Sequence, residues 1–235
     1  MTFVQVIDCK TTRFQELDRL MDAWVEQTKG KRTATHSLIG KDRGDASHFI
    51  EIVEFPSYEE AMRNSTLPET DRIFQDMIAL CDEMPTFTDL DVIRDEQLSS
   101  ATVRRFFDLA GTPGQLPPLD EVMTEHYRGH DPANVEDTIG MDHVRREMRV
   151  WRDGFDFAFS IEDLIAEGDR VCARWFWKGT HKGEFLGIAA TGKAVTMTGT
   201  TVFRCGGDGK LAEGWWEYDR LGLMEQLGVL DEMER

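Results

Sequence analysis

The sequence predicts two α+β domains in tandem. A four-stranded antiparallel sheet backed by helices spans residues 1–97, and helices followed by a curled, cone-shaped antiparallel sheet span 98–235. Three observations carry this. Hydrophobic periods of two and of 3.6 residues succeed each other as strand–helix–strand, twice, in the first part; in the second, helices come first and long strand candidates afterwards. The polar stretch IRDEQLSS at 93–100 parts the two patterns. With 235 residues, 40% of them apolar, the chain can bury a core in each part.

In the first part, TFVQVIDC alternates as a strand. Thr12 and Gln15 then have the spacing of a capping box, ahead of Phe14, Leu17, Leu20, Met21, Trp24 and Val25 at helical spacing. RTATHSLIG and SHFIEIVEF read as two strands joined by the loop KDRGDA, which contains Gly44. Ser57 and Glu60 form a second capping box, and Pro68 suits the first turn of the next helix. That helix has Ile73, Phe74, Met77, Ile78 and Cys81 on its apolar side, and TFTDLDVI closes the sheet. The order β-α-β-β-α-β is that of a ferredoxin-like fold.

In the second part, ATVRRFFDLA is a helix stopped by the linker GTPGQLPP, and LDEVM is a short helix leading into TEHYRGHDP. MDHVRREMRVW is a further helix, ending at Gly154. Four strand candidates follow: Phe155–Glu167 and Arg170–His181 across the turn EGD, then Lys193–Cys205 and Lys210–Asp219 across GGDG, a hairpin signal. Leu221, Leu223, Met224, Leu227 and Leu230 make the apolar stripe of a closing helix.

Composition excludes several classes of partner. A net charge of −17, spread over both parts, repels phosphate backbones and anionic lipid, so neither nucleic acid nor membrane is expected. The first residues, MTFVQVIDCK, lack the basic and apolar regions of a secretory signal. Cys9, Cys81, Cys172 and Cys205 are scattered, with the spacing of neither a zinc site nor a disulfide framework, which fits a reduced cytoplasmic chain. The sequence has no H-x-H or HExxH spacing, so no metal is expected, and no glycine-rich phosphate loop follows a strand.

By layout alone, residues 1–97 resemble the antibiotic-biosynthesis-monooxygenase-like superfamily of dimeric α+β barrels. That resemblance implies a homodimer or larger homo-oligomer and leaves open a cofactor-free monooxygenase activity in this domain. Haem-degrading members carry a histidine on the second-half helices; residues 57–85 contain none, and His36 and His48 fall on strands.

The second part carries a more specific resemblance. HDP at His130–Pro132, Gly140, the run from Ser160 to Cys205, and Glu213, Trp215, Asp219 and LGLMEQLG occupy positions like those of the SnoaL-like polyketide cyclase family. That family lies within the nuclear transport factor 2-like superfamily, and the resemblance spans residues 126–230. It implies a cone with one apolar pocket, no cofactor, and acid/base aldol cyclisation or a related hydroxylation of a small hydrophobic carbonyl or polyketide-type substrate. It places the pocket aspartate at Asp219. The chain departs from the family in reading Glu213-Gly214-Trp215 where Glu-Glu-Trp is frequent, and in lacking the proline of a Phe-Pro-Asp motif at Gly154-Phe155-Asp156.

The residues alone leave alternatives open. Aldol chemistry needs a base with a pKa raised by apolar surroundings and a donor for the oxyanion. Asp219 follows Trp215, Trp216 and Tyr218, but it also precedes a helix and could cap it. His130 and His181 are the candidate partners, although HDP is equally a turn signature. Tyr127, Trp175, Trp177, Trp215 and Glu213 are the candidate pocket lining. Alternation puts Glu213, Trp215 and Asp219 on one face of the last strand and Trp216 and Tyr218 on the other, without deciding which face lines the cone. A ligand-binding or scaffold protein without turnover is the alternative function.

Overall fold

A computed structural model describes residues 1–112, 114 and 116–229. Leu230, and Pro113 and Gln115 of the linker, lie outside the described residues. The chain divides into two compact units between Asp95 and Glu96.

The first unit runs β1 (Phe3–Lys10), α1 (Phe14–Gln27), β2 (His36–Lys41), β3 (His48–Phe55), α2 (Tyr58–Ser65), α3 (Pro68–Leu80) and β4 (Thr86–Asp91). Its sheet has the order β2-β3-β1-β4, and all neighbours are antiparallel. Ser57 caps α2 by accepting the Glu60 amide at 3.3 Å, and Pro68 opens α3. The box expected at Thr12 and Gln15 does not form. Arg13 is the N-cap of α1, and the Thr11 hydroxyl accepts the Arg13 amide at 2.9 Å, so the chain is braced one residue earlier. On the face toward the helices, Ile7 pairs with Glu51 on one side and Phe87 on the other. Phe14 stacks on Phe49 with ring centroids 4.2 Å apart.

The second unit runs α4 (Leu98–Gly111), a 3₁₀ turn (Leu119–Glu121), β5 (Met123–His130), β6 (Thr138–Ile139), α5 (Gly140–Gly154), β7 (Phe155–Glu167), β8 (Arg170–His181), β9 (Ala194–Cys205), β10 (Leu211–Tyr218) and α6 (Arg220–Leu227). Its six strands have the order β6-β5-β10-β9-β8-β7. Two of them, β5 and β6, exceed the four predicted. β5 hides in a polar segment because its outer face carries Arg128 and His130, while its inner face offers the sheet only Met123, Tyr127 and Gly129. It pairs parallel to β10, at the far end of the chain. Register shifts at Ile161/Asp163 of β7 and Leu211/Glu213 of β10 bend the sheet, which suits a concave surface. No helix among the described residues is long and apolar enough to cross a membrane.

Candidate active site

Alternation decides what the concave face presents. On β8 the inward set includes Trp175 and Trp177, 2% and 1% exposed. On β10 it is Gly214, Trp216 and Tyr218, and on β5 it is Tyr127 and Gly129, continued past the strand by Asp131. All of these but Gly214 line a cavity of about 130 Å³, bounded on the helix side by Phe106 of α4 and by Met148 and Trp151 of α5. Two glycines make room for the rings. A Cβ at Gly199 would overlap the Trp175 indole, and one at Gly214 would overlap the Tyr127 hydroxyl.

The polar atoms of this wall are nearly all committed, as burial requires. Trp175 donates to the Thr201 hydroxyl at 2.9 Å, and Trp216 donates to the Tyr127 hydroxyl at 3.2 Å. Tyr218 donates to Oδ2 of Asp131 at 2.7 Å, while Oδ1 accepts the Ala133 amide at 2.8 Å. One carboxylate is thus fixed at the cavity wall by a phenol and a backbone N–H. Burial, and then the hydrogen bond to Asp131 and its charge, push the Tyr218 phenol above its ordinary pKa; burial does the same for Tyr127. Both remain protonated donors at neutral pH. Tyr127 accepts from Trp216, and among the described residues nothing accepts its proton. Glu147 of α5 is a second carboxylate in the lining, held by the Asn134 amide at 2.9 Å.

Of the residues expected in the site, Tyr127, Trp175 and Trp177 line the cavity. Asp219, His130, His181, Glu213 and Trp215 do not. Asp219 is the N-cap of α6, with Oδ1 accepting the Gly222 amide at 2.8 Å, and the capping role is the one the geometry shows. His181 is fully buried beside Phe155, with Nδ1 3.0 Å from the Thr191 hydroxyl and accepting the Thr191 amide, so it anchors the loop after β8. Glu213 and Trp215 share the outer face of β10 with His130 of β5, because alternation turns them away from Trp216 and Tyr218. Asp131 and Tyr218, which the sequence reading does not place in the pocket, also line the cavity. Asp131 lies two positions beyond Gly129, in step with Tyr127, and that parity was the available signal.

The outer face carries a charge network of its own. His130 lies between Asp137 (Nδ1 to Oδ1, 3.1 Å) and Glu213 (Nε2 to Oε1, 2.8 Å) and stacks on Trp215. Glu213 also accepts from Arg204 at 3.1 Å. The hydrogen bond from His130, and after it Arg204, hold the Glu213 carboxyl below the usual range. A carboxylate depressed in the folded state stabilises the fold above its unfolded pKa, and the contribution disappears as pH falls through the folded value. Glu213→Gln is therefore expected to cost about 1 kcal/mol at neutral pH. The difference should shrink on acidification through the carboxylate range, which thermal melts across that range measure. A constant difference would mean packing rather than charge.

The SnoaL-like polyketide cyclase family model matches residues 101–227. Among solved structures, a protein of Jannaschia sp. CCS1, provisionally assigned as a SnoaL-like polyketide cyclase, is 26% identical with a TM-score of 0.52, covering 59% of this chain and 96% of its own. A provisionally assigned polyketide cyclase of Acidithiobacillus ferrooxidans is 26% identical with a TM-score of 0.51, covering 58% of this chain and 99% of its own. No curated protein matches the chain.

Proposed function

The chain belongs to the SnoaL-like polyketide cyclase family through its second unit, and from that premise we propose that the cavity of this unit is a cofactor-independent acid/base site for a small hydrophobic carbonyl compound. The observation that supports this most directly is the Asp131–Tyr218 pair on an aromatic wall. Asp131 is the general base, taking a proton from the carbon α to a carbonyl. The electron pair moves to the carbonyl oxygen, and the Tyr127 O–H, which has no acceptor among the described residues, donates to the enolate as it forms. In a dicarbonyl substrate the enolate carbon attacks the second carbonyl and closes a ring. The new alkoxide takes the proton held by Asp131, so base and substrate are restored in charge. Tyr218 positions the carboxylate throughout.

A cavity of about 130 Å³ holds roughly one ring, judged against an engineered cavity of about 150 Å³ that binds benzene. The reacting part of the substrate is accordingly of one-ring size. α-Proton exchange of phenylacetone in D₂O, followed by NMR, tests the reading without the natural substrate. Saturable acceleration over buffer is expected. Binding without exchange would instead favour a ligand-binding protein.

A further inference from the structure

We propose that the cavity of the second unit selects a protonated amine, and that Glu147 is the residue that selects it. This rests on the acid/base reading of the same cavity, whose carbonyl substrate then carries the amine. On α5 the residues that line the cavity are Val144, Glu147, Met148 and Trp151, the i, i+3, i+4, i+7 stripe of one helix face. Three of the four are apolar, as a stripe turned toward a core should be. Glu147 sets a carboxylate in their midst.

One neutral group holds that carboxylate. The Asn134 amide donates to Oε1 at 2.9 Å, and Oε2 has no hydrogen-bond partner among the described residues. His143, one turn earlier on α5, has its Nε2 3.8 Å from Oε1, beyond hydrogen-bond reach, while its Nδ1 accepts the Ile139 amide. Asp131, the other carboxylate of the lining, is filled on both oxygens, by Tyr218 and by the Ala133 amide. No Lys, Arg or His lines the cavity. Its wall therefore carries two carboxylates, one of them with an open oxygen, and no cation.

That imbalance opposes the proposed chemistry unless the ligand corrects it. Burial raises the Tyr127 phenol most, and the charge of Glu147 raises it further. The field of Glu147 thus reaches the hydroxyl that receives the enolate oxygen, and it repels negative charge forming there. An ammonium on the substrate, beside Glu147, cancels that field. The surroundings suit one. Trp151 stands one turn on from Glu147, so carboxylate and indole are neighbours on the helix surface, and an ammonium between them meets an oxygen and a π-system. The Trp151 ring also meets Tyr218, the phenol bonded to Asp131, with centroids 6.2 Å apart. The amine therefore sits near the reacting end of the cavity. The Glu147 side chain is 34% exposed, so the ammonium keeps part of its hydration and avoids the full penalty of burial.

Trp151 serves as reporter. The full chain is labelled with 5-fluorotryptophan, and the Trp151 resonance is assigned with Trp151→Phe. The chain is then titrated at neutral pH with benzylammonium, benzyl alcohol and benzoate, one-ring ligands of similar size and different charge. Benzylammonium should shift the Trp151 resonance saturably and bind about tenfold more tightly than benzyl alcohol, with benzoate the weakest. Glu147→Gln keeps an acceptor for Asn134 and removes the charge. It should weaken benzylammonium about tenfold and cancel its advantage over benzyl alcohol. If Glu147 serves only to anchor Asn134, glutamine replaces it and the ligand preference is the same before and after; that result overturns the proposal, as does an unmoved Trp151 resonance. The ligand comparison on the unsubstituted chain decides the matter even if the variant fails to fold, since equal binding of benzylammonium and benzyl alcohol also overturns it. Phenylacetone exchange keeps two failures apart. Exchange without a preference for benzylammonium overturns the amine selection alone, whereas a Glu147-dependent preference without exchange upholds that selection and overturns the acid/base reading.

Discussion

Asp131→Asn is expected to lower the rate of α-proton exchange by about 10²- to 10⁴-fold, the range a positioned general base contributes. Asparagine keeps the shape of the side chain. Its carbonyl can still accept from Tyr218 or from the Ala133 amide, the two groups that fix Asp131. What it loses is the basic oxygen, so the loss of rate isolates the proton transfer. Asp219 supplies the contrast. Its carboxylate is occupied at the first turn of α6, and asparagine is as good an N-cap as aspartate. Asp219→Asn should leave exchange within a few-fold, while Asp219→Ala should cost about 1 kcal/mol of stability with little effect on rate. Exchange measured at saturating ketone, alongside thermal melts, separates the two. A collapse of exchange in Asp219→Asn with an active Asp131→Asn would reverse the assignment and return the base to the last strand's end.

That contrast marks where the sequence was legible and where it stopped. The strand–helix order of the first unit, the four long strands of the second, and Trp175 and Trp177 as rings of the cavity lining could be read, since each rests on a periodicity that packing enforces; β5 and β6 could not. The faces of β10 could not. Trp215 and Trp216 are adjacent aromatics on opposite sides, and hydrophobicity alone cannot rank them. Trp215 is accommodated outside because His130 stacks on it at 5.2 Å and Arg170 lies over it at 5.1 Å. Once the outer face is given to Trp215, Glu213 and His130 follow by alternation and pair. Asp131 was legible as a turn residue and is one, since its Oδ1 accepts the Ala133 amide. Its other oxygen does the work proposed here, and nothing local to HDP announces that, because the partner Tyr218 lies 87 residues away. The cap expected at Thr12 does not form either: α1 begins at Phe14, with Arg13 as N-cap and no side-chain cap hydrogen bond.

Gly214, where the family frequently has glutamate, is explained by the same wall and yields the second large effect. Its Cα faces the cavity side of β10, and a Cβ would overlap the Tyr127 hydroxyl and meet the Phe203 ring at 3.3 Å. Tyr127 is 3% exposed and bonded to Trp216, so its ring has little freedom to withdraw. Gly214→Ala should therefore cost about 1–3 kcal/mol through overpacking, and it should also reduce exchange by displacing the oxyanion donor. Tyr127→Phe alone leaves the Trp216 N–H without its acceptor, at a cost of about 1–3 kcal/mol. Combined, the two changes relieve each other in part, because the atom that the new methyl strikes is the one removed. The double variant should be more stable than the sum of the single effects predicts, by at least about 1 kcal/mol. Denaturant melts of the four proteins give this coupling directly, while exchange stays low in the double variant for want of the donor. Strict additivity would mean that Gly214 is there for Phe203 or for the backbone and not for the hydroxyl. Recovered exchange in the double variant would remove Tyr127 from the mechanism and leave Asp131 acting without it.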